Sequence, residues 1–152
     1  MRIEMELEKL GLTLPEPPKP AGFYVGATVA NGFAFSAGQG PSVKGEIRYR
    51  GKVGRDLTVE EGFDAARISV LNCLAQFKAV LGDLDKIERI VKVTGFVNSA
   101  DGFRNQPTVL NGASELLLKL WGENGKHARA AVAVSVEGWI PVEIEVIAKV
   151  RE

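Results

Sequence analysis

The chain has 152 residues, of which 45% are hydrophobic and 25% charged. That is enough for one domain with a substantial core, and it excludes a disordered or low-complexity protein. Nineteen Lys plus Arg balance nineteen Asp plus Glu, so no global field draws a polyanion, which weighs against nucleic acid as the main partner.

Residues 1–20 read as an N-terminal extension to a domain spanning residues 21–152. Met1 to Leu10 suits a short amphipathic helix with Ile3, Leu7 and Leu10 on one side, stopped by Gly11. Leu14-Pro-Glu-Pro-Pro-Lys-Pro20 then imposes an extended connector, because proline lacks an amide donor and restricts its predecessor. From Phe23 the order is strand, strand, strand, helix, strand, helix, strand, strand. Phe23, Val25, Ala27 and Val29 alternate with Tyr24, Gly26 and Thr28, the period of a half-covered strand. Asn31-Gly32 is a two-residue hairpin signal, and Phe33 to Ser36 supplies the returning strand before Gly38-Gln-Gly-Pro41 ends it. A weaker third strand is expected over Glu46 to Lys52.

Thr58-Val-Glu-Glu61 has capping-box spacing and opens a helix with Phe63, Ala66, Val70, Cys73 or Leu74, Phe77 and Leu81 at helical intervals, stopped by Gly82. A second helix opens near Pro107, which the first turn tolerates, and ends at Gly122 or Gly125. Between them Ile87 to Val97 forms a strand apolar on both faces, with Ile90 and Phe96 on one and Val91, Val93 and Val97 on the other. Two helices on a mostly antiparallel sheet cover one face only. Covering the second apolar face calls for another copy of the chain, so an oligomer with sheets facing each other is expected.

The last two strands hold the polar residues of interest. Period two from Ala128 to Ser135 places Arg129 with Ala131, Ala133 and Ser135 on one face. Small neighbours leave the guanidinium in a shallow gap. It is either paired with a carboxylate of a neighbouring subunit or clamps a ligand carboxylate, for which its planar fork is suited. On the final strand Val142, Ile144, Val146, Ala148 and Val150 form the core face, and Glu143, Glu145 and Ile147 point the other way. Glu143 is either Arg129's structural partner or a proton-handling group, and hairpin register decides whether the two share a face. His127 is either a surface or interface histidine or a pH-sensitive neighbour of the site.

The lone Cys73 cannot form an internal disulfide and reads as a buried thiol. With a single histidine no zinc cluster is available, and no cofactor or metal is expected. No apolar run approaches membrane-spanning length and no signal-like start is present, so a cytoplasmic protein without a membrane partner is expected.

Phe23-Tyr24-Val25, Ser36-Ala-Gly38-Gln39, Asn111, Ala128-Arg129 and Val142-Glu-Ile-Glu-Val-Ile-Ala148 together resemble the Rid (reactive intermediate deaminase) family, also called the YjgF or L-PSP endoribonuclease family. The similarity runs from about Phe23 to Val150, as a divergent branch. It implies an α+β chorismate-mutase-like fold, βββαβαββ, with two helices on one face of a mostly antiparallel sheet. It also implies a homotrimer with ligand sites between subunits. The implied reaction is cofactor-free hydrolysis of reactive 2-imino acids or enamines to 2-keto acids and ammonia. By position Arg129 would hold the substrate carboxylate and Glu143 would sit near the attacking water. Tyr24, Ser36, Gly38 and Asn111 would line the pocket. Ala131 stands where deaminase members commonly carry cysteine. The alternative is therefore a non-catalytic trimer binding small carboxylic acid metabolites. An endoribonuclease or translation inhibitor is disfavoured by zero net charge and one histidine.

Overall fold

A computed structural model describes all of residues 1–152. Helix α1 (Arg2–Lys9) leads through the proline connector to β1 (Ala27–Ala30) and β2 (Phe33–Ser36). A small hairpin of β3 (Ser42–Val43) and β4 (Glu46–Ile47) precedes α2 (Val59–Leu81), β5 (Ile87–Asn98), α3 (Gln106–Trp121), β6 (Ala128–Val134) and β7 (Val142–Val150). The main sheet has the order β1-β2-β7-β5-β6, antiparallel throughout except for the parallel β5–β6 pair. Helix α3 is the crossover between those two parallel strands. Helices α2 and α3 cover one face, as expected for the chorismate-mutase-like architecture.

The local signals act as their chemistry dictates. Asn31 and Gly32 both take positive φ, 53° and 79°, the turn whose twist matches the strands it joins. Thr58 Oγ1 accepts from the Glu61 amide at 3.1 Å and Glu61 Oε1 accepts from the Thr58 amide at 3.0 Å, closing the capping box of α2. Ile3 and Leu7 of α1 are buried in the same core as Phe77, Leu117 and Ile144, whereas Leu10 is exposed. All five apolar residues assigned to the inner face of β7 are buried.

Four expectations are corrected. The first strand does not reach back to Phe23: Phe23 and Val25 are exposed. Gly26 lies so flat on Gln76 that a Cβ would come within 1.9 Å of Oε1; its carbonyl still accepts from the Ala37 amide at 2.8 Å, and the chain bends away before it. The proposed strand over Glu46 to Lys52 shrinks to the β3–β4 hairpin, because Lys44 and Gly45 form a tight turn with positive φ. Strands β6 and β7 are not hairpin neighbours, since β5 lies between them. Finally, β5 carries register irregularities between Ile87 and Arg89 and between Ile90 and Lys92. Each adds one residue and reverses the alternation, so Ile87, Ile90, Val93 and Val97 all reach the core. The open face of the sheet keeps Phe35, Ile147, Phe96 and Val132, interspersed with Lys92, Thr94, Glu143 and Glu145.

Cys73 is fully buried and its thiol donates to the Ile144 carbonyl at 3.3 Å. Burial pushes its pKa up to about 12, so no thiolate is available at neutral pH. Ellman's reagent is expected to find no thiol in the native protein and one in denaturant; rapid native labelling would contradict this packing. No helix is long and apolar enough to cross a membrane.

Candidate functional site

Arg129 pairs with Val93 across the β5–β6 ladder, and Val93 is fully buried, so Arg129 belongs to the helix-covered side. Strand β6 is the sheet edge, and the Arg129 side chain reaches the flank of α3. Nη1 donates to Asn111 Oδ1 at 2.8 Å and to Ser114 Oγ at 3.1 Å, and Nη2 donates to the Pro107 carbonyl at 3.3 Å. Asn111 and Ser114 are three residues apart and share one helical stripe. All three partners are uncharged oxygens, and the guanidinium makes no ion pair. His127 sits behind this group: Nδ1 is 2.7 Å from the Gly125 carbonyl and Nε2 is 2.9 Å from Ser114 Oγ. Burial pushes the imidazole pKa down and the Arg129 charge adds to that, while the bond to Gly125 opposes it. The ring is neutral at pH 7.

A second group lies across the sheet. A cavity of about 240 Å³ is bounded by Pro18 and Pro20 of the connector, Tyr24, Gly38, Gln39 and Gln76. The connector is fastened there by Gln76 Nε2, which donates to the Pro18 carbonyl at 2.7 Å, and by the Ala21 amide, which donates to the Tyr24 hydroxyl at 3.1 Å. The Glu143 carboxylate rests against Gly38, where a Cβ would come within 2.8 Å of Oε2. The contact packs a half-buried carboxyl against Gly38, one of the residues bounding the cavity. Burial, then the nearby Glu145 charge, raises the Glu143 pKa above the ordinary carboxylate range.

The structure therefore brings Arg129 and Asn111 together, and separately Tyr24, Gly38 and Glu143. It does not unite the two groups. Glu143 pairs with Phe96, on the open face, while Arg129 pairs with Val93 on the covered one. Two strand spacings and three residues of rise put their Cα atoms about 14 Å apart. Glu143 is thus not Arg129's partner within one chain. Ser36 joins neither group: its hydroxyl accepts from the Val146 amide at 2.9 Å, filling the ladder where β2 and β7 lose register. The sequence reading missed Ser114, which its three-residue spacing from Asn111 would have revealed. It also missed Gln39 and Gln76; a glutamine inside the apolar stripe of α2 was the available signal.

A family model described as "YjgF/chorismate mutase-like, putative endoribonuclease" matches residues 4–143, and the chain belongs to this family. Protein TCP17 of Trypanosoma cruzi is 42% identical over 135 residues, covering 88% of this chain and 84% of its own length. The Agrobacterium tumefaciens protein Atu1372 superposes with a TM-score of 0.91 at 42% identity, over 98% of this chain and 92% of that one. The E. coli YjgF gene product superposes with a TM-score of 0.62 at 25% identity, over 90% and 97% of the two chains.

Proposed function

We propose that the protein hydrolyses reactive 2-imino acids, or their enamine tautomers, to 2-keto acids and ammonia at sites shared between copies of the chain in a homotrimer. One observation carries the reading: an arginine with no carboxylate partner and a half-buried glutamate with a raised pKa lie on opposite faces of one sheet. A single copy presents each half-site without the other. A neighbouring copy packed on the open face, whose Phe35, Phe96, Val132 and Ile147 favour burial, would bring its own half-site to the missing one.

The chemistry asks little of the protein. Arg129 fixes the substrate carboxylate through its planar fork. An imine carbon is already electrophilic, so a water held by Glu143 adds to it, the carboxyl relays the proton to nitrogen, and ammonia leaves as the carbonyl forms.

The test couples an amino-acid oxidase, which generates the imine, to trapping of the residual imine; the protein should speed keto-acid formation for some precursors. Keto-acid binding without acceleration would replace the reading with a binding-only trimer. Glu143→Gln should lower the rate roughly 100-fold or more while sparing keto-acid affinity. Its melting temperature should be unchanged or higher at neutral pH. The raised pKa means the folded state favours the protonated group, so ionisation above that pKa weakens folding, and the amide removes the penalty.

A further inference from the structure

The geometry points to His127 as a positioning residue for Arg129, acting through the hydroxyl of Ser114; the inference rests on the reading of Arg129 as the carboxylate anchor. The hydrogens follow from the partners. A carbonyl oxygen only accepts, so Nδ1, 2.7 Å from the Gly125 carbonyl, carries the ring proton. In the neutral imidazole Nε2 is then an acceptor, and Ser114 Oγ at 2.9 Å must donate to it. With its proton so directed, the Ser114 oxygen turns its lone pairs toward Arg129 Nη1 at 3.1 Å. Asn111 Oδ1 and the Pro107 carbonyl complete the grip on the guanidinium. Without the imidazole the Ser114 hydroxyl would be free to turn its hydrogen toward its own helix backbone, as serines in helices commonly do. The guanidinium would then lose one of its three fixed acceptors.

Protonating the ring would turn Nε2 into a donor, reverse the Ser114 bond and set a second cation beside Arg129. No carboxylate bonds to the imidazole to offset this. On α3, Glu115 is paired with Lys119 at 2.8 Å; on the turn before β6, Glu123 is paired with Lys126 at 2.9 Å. The remaining charges near the strand start are both positive: Arg89, whose Nη2 donates to the Glu123 and Lys126 carbonyls at 3.4 and 3.1 Å, and Lys92, opposite Ala128 on β5. The depressed imidazole pKa agrees with this arrangement.

Nitrogen-15 NMR of the full-length protein tests the assignment without relying on turnover. The imidazole should be the Nδ1–H tautomer at pH 7, and the Arg129 Nη resonances should be separately resolved. In His127→Ala and in Ser114→Ala those resonances should coalesce, whereas His127→Gln, whose carbonyl can accept at the Nε2 position, should keep them apart. Calorimetric titration with pyruvate should weaken roughly three- to tenfold in His127→Ala, the worth of one hydrogen bond. Affinity in the native chain should fall as pH drops through the imidazole pKa and stay flat over that range in both His127 variants. A protonated Nε2 at pH 7, or an Arg129 guanidinium equally ordered in His127→Ala and Ser114→Ala, overturns the proposal. Unchanged pyruvate binding in Arg129→Ala would overturn the anchor itself and leave the NMR result to judge the positioning.

Discussion

Arg129→Ala is expected to lower affinity for 2-keto acids roughly 100-fold or more, since two charge-assisted hydrogen bonds to a carboxylate are lost together. Any acceleration of imine hydrolysis should vanish with them. The effect should be confined to the ligand. Arg129 lies on an edge strand with only neutral partners, so no buried counter-charge is stranded and the melting temperature should move little. Arg129→Lys keeps the charge but not the fork and should fall between, with roughly tenfold weaker binding. Calorimetry with pyruvate alongside thermal unfolding checks both halves; a large fall in stability with unchanged binding would reassign Arg129 to a structural role.

The largest stability effect is expected at Gly112, where α3 crosses α2. A Cβ there would come within 2.0 Å of the Phe63 carbonyl oxygen and 3.3 Å of Ala66 Cβ. Helix propensity alone would favour alanine by about 1 kcal/mol. The obstacle, however, is backbone and cannot rotate aside, so the helices must separate and open the core beneath. Gly112→Ala should cost about 3 kcal/mol, at the upper end for overpacking, and lower the melting temperature by roughly 6–12 °C for a chain of this size. Gly102→Ala, where nothing lies within 4 Å and only the positive φ of 79° resists, should cost about 1 kcal/mol. Equal losses at the two positions would mean that the helix crossing relaxes more readily than its geometry allows.

Elements governed by near neighbours were legible in the sequence. Thr58 and Glu61 meet three residues apart, Asn31-Gly32 needs no distant partner, and alternation along β7 shows which side is buried. Pairing was not legible, because it depends on residues far along the chain. The return of β6 beside β5, and not beside β7, is decided by the α3 crossover. The irregularities in β5 fall at Glu88 and Val91, where no glycine or proline marks them. The same blindness divides the site. Alternation put Arg129 and Glu143 on β6 and β7, and the family likeness brought in Asn111 on α3, but which face each strand residue occupies follows from strand order. Ser36 has a residue type suited to ligand contact, yet a missing ladder bond from Val146 takes its hydroxyl.

Beyond Leu14, which packs against the core, the proline connector closes one side of the cavity and is moored to α2 through Gln76. The cavity wall and most of the core are thereby built from different stretches of chain. Changes between Pro18 and Ala21 can reshape the cavity while helices and sheet remain as they are. Under the proposed function, such changes would alter which ligands fit while Arg129 and Glu143 stay in place.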